Sequence, residues 1–131
     1  MLRTSISSGS RFEALAGYSR AAVVEFDTYA EVFVSGCTGF DYTTMQMAED
    51  VESQTRQCFK NIEAALVKAG GDLSHLVRVR YYLTHGPDFT RIAPILGEYC
   101  QAGRPAATAL ICGLIDPVMK IEIEADARIP R

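Results

Sequence analysis

The chain has 131 residues, of which 48% are hydrophobic and 22% are charged, a composition that predicts a single globular domain over residues 1–131. Thirteen basic and sixteen acidic residues give a formal net charge of −3, so nothing in the overall charge favours nucleic-acid binding. The apolar runs are too short to span a membrane, and residues 1–5 open no signal-peptide core, so a cytoplasmic location is expected.

The four cysteines are expected to be thiols in that compartment, because disulfides are rare there. No two of them form a Cys-x-x-Cys pair, and the chain has two histidines. This pattern argues against a zinc site. We therefore expect neither a metal nor a cofactor.

Two short segments rich in β-branched residues begin the predicted sheet. Residues 21–26 (AAVVEF) and 31–35 (EVFVS) predict two strands, joined by a hairpin connection at residues 27–30. Residues 36–44 predict a loop. A further strand around residues 3–7 is left open as an alternative.

From Met47 to Ala69, apolar residues recur every three or four positions, which predicts a long amphipathic helix. Its expected buried face consists of Val51, Thr55, Cys58, Ile62, Ala65 or Leu66, and Ala69. Gly70 and Gly71 follow and predict a left-handed helix end.

Residues 76–84 (LVRVRYYLT) predict a strand with two unlike faces. The expected apolar face consists of Val77, Val79, Tyr81 and Leu83. The other face consists of Arg78, Arg80, Tyr82 and Thr84. A basic and aromatic face of this kind is typical of a sheet that is covered by a partner.

Asp88 is expected to cap a second helix from about Phe89 to Cys100. Pro94 and Gly97 inside this segment predict a kink or a short break. Residues 106–112 and 120–129 predict two more strands, with Cys112 in the core.

The element order ββαβαββ predicts an α+β fold, in which two helices pack on one face of a mixed sheet. The second face then needs a cover, and oligomer formation is the simplest one.

Five motifs in order along the chain carry a family resemblance. They are residues 17–21 (GYSRA), residues 34–36 (VSG), the helical run from Gln57 to Gly70, Asp88-Phe89, and residues 104–127 (RPAATALICGLIDPVMKIEIEADA). Together they resemble the motifs of the Rid family (reactive intermediate deaminases, YjgF-like). The resemblance implies a chorismate-mutase-like fold and a homotrimer that binds small-molecule ligands in clefts between subunits. It also implies hydrolysis of imines and enamines of small 2-oxo acids.

The resemblance also implies site residues. Tyr18 matches a cleft tyrosine, Gly36 a glycine whose backbone approaches the ligand, and Glu122 a glutamate that positions the hydrolytic water. The backbone of Ala109 matches a position that contacts substrate. Ala107 departs from the pattern, because active deaminases have there an arginine that holds the substrate carboxylate.

Ala93 departs as well, since it falls where active deaminases often have an asparagine. Three arginines are candidates to replace the missing carboxylate clamp: Arg20, Arg104 and Arg80. Each also has a simpler interpretation, as a surface partner of an acid, a loop charge and an interface ion pair respectively. Arg20 is favoured among them because its motif borders the cleft.

Two further residues have alternative interpretations. Cys37, which stands where the family usually has glutamine, is either a cleft nucleophile or a small buried residue. Glu122 is either a water-holding base or one more solvent-facing acid of the strand KIEIE.

Three functions follow as hypotheses. The first is a hydrolase of imines, enamines or related carbonyl compounds, with a substrate altered by Ala107. The second is a non-catalytic metabolite-binding or regulatory trimer. The third is the ribonuclease or translation-inhibitor role of some relatives, which the acidic balance disfavours.

Overall fold

The computed structural model describes residues 2–131, which form one α+β domain built on a mixed six-stranded sheet. The strands are β1 (Leu2–Ile6), β2 (Ala21–Glu25), β3 (Tyr29–Thr38), β4 (Phe40–Asp41), β5 (Gln46–Met47), β6 (Leu76–Leu83), β7 (Ala106–Ile111) and β8 (Ile121–Pro130). The helices are α1 (Arg11–Ala16), α2 (Val51–Lys68), the 3₁₀ turn Leu73–His75 and α3 (Asp88–Cys100). The α+β prediction is confirmed.

The sheet has the order β1-β2-β3-β8-β6-β7, and β4 pairs with β5 in a separate small hairpin. All neighbours in the large sheet are antiparallel except β6 and β7, which are parallel and connected through α3. The N-terminal strand that was left open is present as β1, paired with β2. The last strand, β8, lies between β3 and β6 at the centre of the sheet.

Helix α2 supplies most of the layer that covers the sheet. Asp50 begins it, because its carboxylate accepts a hydrogen bond from the Ser53 backbone N–H at 2.9 Å. The predicted apolar face is buried, and Gly70, with a φ of 89°, takes the left-handed conformation that was expected after the helix. Phe59 on α2 stacks on Tyr99 of α3, with ring centroids 4.7 Å apart. The two helices thereby form one layer.

Short elements before and after β3 were not anticipated from the sequence. Helix α1 begins at Ser10, whose hydroxyl accepts from the Phe12 backbone N–H at 3.1 Å, and ends at Gly17, with a φ of 72°. The predicted loop of residues 36–44 instead contains the end of β3 and all of β4. A six-residue helix and a two-residue strand are too short to produce a clear periodicity.

The predicted apolar face of β6 is wrong at its first position. An irregularity in the pairing with β8 between Leu76 and Arg78 shifts the alternation by one residue. Leu76 is therefore buried, whereas Val77 is 50% exposed. Beyond this point the prediction is confirmed: Tyr81 lies in the core, and Tyr82 faces the other side of the sheet.

One expectation for the second helix is also wrong, and the short break that was one alternative at Pro94 and Gly97 is absent. Asp88 is the first helical residue rather than the cap, and its buried carboxylate accepts from Arg91 Nη1 at 3.4 Å instead of from a backbone N–H. Helix α3 runs without a break through Pro94 and Gly97 to Cys100. Favourable packing of Ile92, Ile95 and Leu96 against the core offsets the hydrogen bond that Pro94 cannot donate.

The edge strand β7 is exposed on both of its faces. All six of its residues are exposed, including the large side chains of Leu110 and Ile111. Cys112, expected in the core, is exposed as well, because β7 has no neighbour on its outer side and its tip is not covered by a helix. All four cysteines are free thiols. Within residues 2–131, no helix is both long enough and apolar enough to cross a membrane.

Candidate functional site

The first group of predicted site residues lies where β3 meets β8. The pairing of these strands is irregular between Val34 and Cys37, and this bulge brings the Gly36 backbone against the Glu122 carboxyl group. A β-carbon built on Gly36 would lie 2.8 Å from Glu122 Cδ and would overlap the carboxylate oxygen. Glycine is therefore required at residue 36 if Glu122 is to keep this position.

Glu122 occupies the face of β8 that points away from the helices, since its neighbours Ile121 and Ile123 are buried in the core. Its side chain is half-buried and forms no hydrogen bond or ion pair with any of residues 2–131. Burial raises the pKa of Glu122, the Glu124 carboxylate adds to this rise, and the charge of Arg20 opposes it. The site thus contains a partly desolvated carboxyl group without a protein partner.

Arg20 lies behind the bulge and is only 2% exposed. Its Nη1 donates a hydrogen bond to the Gly36 carbonyl at 2.8 Å and contacts Cys37 Sγ at 3.6 Å. Its guanidinium carbon lies 4.2 Å from the centre of the Tyr42 ring. The interpretation of Arg20 as a surface partner does not fit this burial. As a carboxylate clamp, Arg20 would have to leave the core.

The two other residues predicted in this region differ in accessibility. Cys37 is fully buried, and burial raises the pKa of its thiol to about 11. The thiol is therefore protonated at neutral pH, which favours the interpretation of a small buried residue over that of a nucleophile. The Tyr18 side chain is 39% exposed, and its ring centre lies 5.8 Å from the Arg20 guanidinium carbon. Tyr18 can thus contact a ligand.

The second group of predicted residues lies at the other edge of the sheet. Ala107 and Ala109 pair with Val79 and Tyr81 of β6, so they point to the side of the sheet that carries the helices. A cavity of about 400 Å³ lies between α3 and β7 on this side. Its lining includes Val79, Tyr81, Phe89, Ala93, Leu96, Arg104 and Ala107.

These two groups are on opposite faces of the sheet. Glu122 faces away from the helices, whereas Ala107 faces toward them, so one chain does not bring the two residues together. Among the candidate cations, Arg104 is the one in the same cavity as Ala107. Arg80 lies on the face of Glu122, 3.9 Å from both Glu124 and Asp126, and takes part in a local ion-pair network.

Two residues that hold Arg20 were missed in the sequence. Tyr42 places its ring against the guanidinium, and its hydroxyl accepts a hydrogen bond from the Thr38 backbone N–H at 3.0 Å. Glu13 lies 4.0 Å from Arg20 Nη2 and accepts hydrogen bonds from Ser8. Neither residue belongs to a recognisable motif, since each is brought to Arg20 by the fold.

A mixed six-stranded sheet covered by two main helices defines a single α+β domain. Residues 8–129 match the family model described as Endoribonuclease L-PSP. The chain belongs to this family, which is also called the YjgF/YER057c/UK114 or Rid family. The resemblance seen in the sequence is thereby confirmed at the level of the family.

Similar proteins match almost the whole chain. Protein DfrA of Myxococcus xanthus is 34% identical over 128 residues, which cover 97% of this chain and 96% of that protein. A solved YjgF/YER057c/UK114 family member from Mycobacterium tuberculosis is 35% identical, with a TM-score of 0.86 and coverage of 98% and 100%. RidA from an Antarctic Psychrobacter species is 28% identical, with a TM-score of 0.77 and coverage of 95% and 94%.

Proposed function

We propose that this protein hydrolyses imines or enamines of small carbonyl compounds in a cleft between the subunits of a homotrimer. The observation that carries this proposal is the position of Glu122. Its carboxyl group is half-buried against Gly36, lacks a partner among residues 2–131, and has a raised pKa because of that burial. An acid placed in this way suits the exchange of protons with a bound water molecule.

The reaction adds water to the carbon of a C=N bond. Glu122 accepts a proton from the water as its oxygen bonds to carbon and passes this proton to the nitrogen, which gives a carbinolamine. Glu122 then accepts the hydroxyl proton of the carbinolamine and delivers it to the nitrogen as the C–N bond breaks and the C=O bond forms. The products are a carbonyl compound and ammonia. A carboxyl group whose pKa is raised toward neutral pH performs both transfers better than an ordinary one. Tyr18, which is exposed beside the bulge, would orient the substrate.

The expected substrate differs from that of the active deaminases. Ala107 stands where the family resemblance implies an arginine that holds a carboxylate by two parallel hydrogen bonds. Loss of such a contact typically costs about 3 kcal/mol. The cavity beside Ala107 presents Phe89, Ala93 and Leu96, so an imine with an apolar group in place of the carboxylate fits it better. Arg104, also in this cavity, is the remaining cation for a weaker anion contact.

Two features of the chain support the trimer. Strand β7 exposes apolar side chains on both faces, including Leu110 and Ile111, and such an edge is stabilised by a neighbouring subunit. Glu122 and Ala107 face opposite sides of one sheet, so a cleft that contains both needs residues from two chains. Light scattering coupled to size-exclusion chromatography should give three times the 14.4 kDa chain mass. A monomer would contradict this part of the proposal.

A second candidate function is binding of a metabolite without turnover, in a regulatory trimer. The observation that favours it is the same apolar cavity with Ala107 at its edge. In this case the ligand would bind without loss of an imine group, and Glu122 would not be needed for chemistry.

The deciding experiment measures the hydrolysis of enzymatically generated imines, with semicarbazide trapping the imine that survives. We expect faster hydrolysis of uncharged imines than of 2-iminobutyrate, and a loss of about 10²- to 10⁴-fold in Glu122→Gln. Glu124→Gln, which alters an acid on the same strand and face, is the matched control and should have a much smaller effect.

The variant Ala107→Arg tests substrate choice. It should shift the preference toward 2-iminobutyrate by roughly 10- to 100-fold, because the new guanidinium can bind the carboxylate. Ala107→Leu, which adds bulk without charge, should not. If the native protein accelerates no imine but calorimetry detects binding, the regulatory trimer replaces the enzyme.

A further inference from the structure

Arg20 is a buried charge whose environment only partly offsets the cost of its burial. Removal of an ionised side chain from water costs several kcal/mol unless partners replace the lost hydration. The Gly36 carbonyl and the Tyr42 ring provide part of this replacement, and Glu13 lies 4.0 Å away. Arg20 Nε, however, is a fully buried polar atom without a hydrogen-bond partner among residues 2–131. A buried donor without a hydrogen-bond partner destabilises the folded state, so its presence requires a specific explanation.

The second observation is the contact of Arg20 with the bulge. Nη1 donates to the carbonyl of Gly36, the residue whose missing side chain makes room for the Glu122 carboxyl group. The same nitrogen lies 3.6 Å from Sγ of Cys37, the residue at which regular pairing with β8 resumes after the bulge. Arg20 therefore fixes the backbone against which Glu122 rests, although it is held on the opposite side of that backbone.

The third observation is the set of charges that act on Glu122. Five titratable groups from several elements interact with it: Glu124 on β8, Tyr82 on β6, Cys37 on β3, Cys58 on α2, and Arg20 just before β2. Glu124 disfavours ionisation of Glu122. A hydrogen bond to Glu124 raises the pKa of Tyr82 to about 12, and burial raises the pKa values of both thiols, so these three groups are neutral near pH 7. Arg20 is the positive group whose charge opposes the effect of burial on the pKa of Glu122.

We propose that Arg20 is a positioning residue of the candidate site. Its guanidinium holds the Ser35–Gly36 bulge in place and supplies the buried positive charge that allows Glu122 to ionise in a partly desolvated position. Arg20 does not bind substrate in this role. The proposal rests on the proposed function of Glu122, but the coupling between the two residues exists whether or not the protein turns over a substrate.

The test follows the titration of the Glu122 carboxyl carbon by NMR, with Glu122→Gln used to assign the signal. In Arg20→Gln the midpoint should rise by about 0.5 to 1 pH unit, because the favourable charge is lost. Arg20→Lys, which keeps the charge, should restore most of the native midpoint. Arg128→Gln removes an exposed arginine of β8 that pairs with Glu31, and it should leave the midpoint unchanged. An unchanged midpoint in a folded Arg20→Gln protein would overturn the proposal.

A second measurement covers the case in which Arg20→Gln does not fold. In the native protein, the NMR signal of Arg20 Nε–H should shift with the same midpoint as the Glu122 carboxyl group. In Glu122→Gln this shift should disappear. An Arg20 signal that does not shift as Glu122 titrates would contradict the coupling between the two residues.

Kinetics separates this proposal from the proposed function. If imines are hydrolysed, Arg20→Gln should lower kcat and move the acidic limb of the pH profile upward, with little change in KM. A parallel loss at every pH would instead indicate a merely structural role and would overturn the proposal. If the native protein hydrolyses no imine, the proposed function fails, whereas the NMR coupling still decides the role of Arg20.

Discussion

The two halves of the candidate site differ in how much of their geometry one chain provides. Around Gly36, the position of Glu122 is set by a bulge, by Arg20 behind it and by close packing. Around Ala107, the chain provides a wide cavity and an edge strand exposed on both faces. Residues that look equally important in the sequence therefore belong to one preorganised half and one half that a single chain leaves open. We therefore expect substitutions to be poorly tolerated around Gly36 and well tolerated around Ala107.

The largest expected difference between the two halves is the effect of the same substitution, glycine to alanine, on activity and stability. Gly36→Ala should reduce imine hydrolysis by roughly 100-fold, because the new methyl group displaces the Glu122 carboxyl group from its place. Gly97 lines the cavity near Ala107, and a β-carbon built there has no atom within 4 Å. Gly97→Ala should retain activity and raise the free energy of unfolding by about 0.5 to 1 kcal/mol, as expected for a helix interior. Similar losses of activity in both variants would contradict this difference between the two halves of the site.

The preorganised half should also depend on its connection to α2. Asn61 Nδ2 donates to the backbone carbonyls of Thr38 at 3.1 Å and Phe40 at 2.8 Å, just after the bulge. Asn61→Ala should lower the free energy of unfolding by about 1 to 3 kcal/mol, because it leaves these carbonyls without their donor. Arg56→Ala, which breaks an exposed ion pair with Glu98 on the same side of the molecule, should cost less than about 1 kcal/mol. Chemical denaturation measures both, and equal costs would show that Asn61 does not brace this region.

The smallest expected effect concerns the way in which ionisation of Glu122 makes the stability of the protein depend on pH. The pKa of Glu122 is raised above its usual value of 4.5 by burial, so the folded protein favours the protonated form. The associated stability is present below the unfolded pKa and is lost as the pH rises through the folded pKa. Glu122→Gln, which cannot ionise, should therefore gain stability relative to the native protein over this rise.

Glu98 provides a control of opposite sign for that titration. Its hydrogen bond to Arg56 lowers the pKa of Glu98, so its stabilising contribution is present above the unfolded pKa and is lost as the pH falls through the folded value. Glu98→Gln should thus lose stability relative to the native protein as the pH rises. Denaturant unfolding at a series of pH values tests both, and equal slopes for the two variants would contradict the assigned burial of Glu122.

Periodic features of the sequence predicted the fold well. The spacing of apolar residues predicts α2, and residues 120–129 predict the strand β8; the structure confirms both. Features without a period were missed, such as α1 with its six residues. Val77 was assigned to the wrong face because a local irregularity in strand pairing leaves no mark in the pattern of residue types.

The candidate site was predictable only in part, for a different reason. Motifs indicate Gly36 and Glu122, and the fold brings them into contact. The sequence left Arg20 either as a cation that borders the cleft or as a surface partner of an acid. Its burial depends on Glu13 and Tyr42, which the fold brings to it. Cys112 was expected in the core because its neighbours are apolar, whereas its strand lies at an edge. The composition of a segment indicates whether it is apolar, but the topology of the fold determines which elements pack against it.

The central place of β8 has a consequence for how the protein is made. This strand is the last of the eight in sequence, yet it pairs with β3 on one side and β6 on the other, and joins Tyr29 to Pro130. Strands β1 to β3 can form hairpins as soon as they are synthesised, but the sheet stays divided until β8 inserts between its two parts. Contacts so distant along the chain form slowly. The event that closes the sheet also brings Glu122 to Gly36, so a nascent chain acquires its fold and its candidate site in the same step.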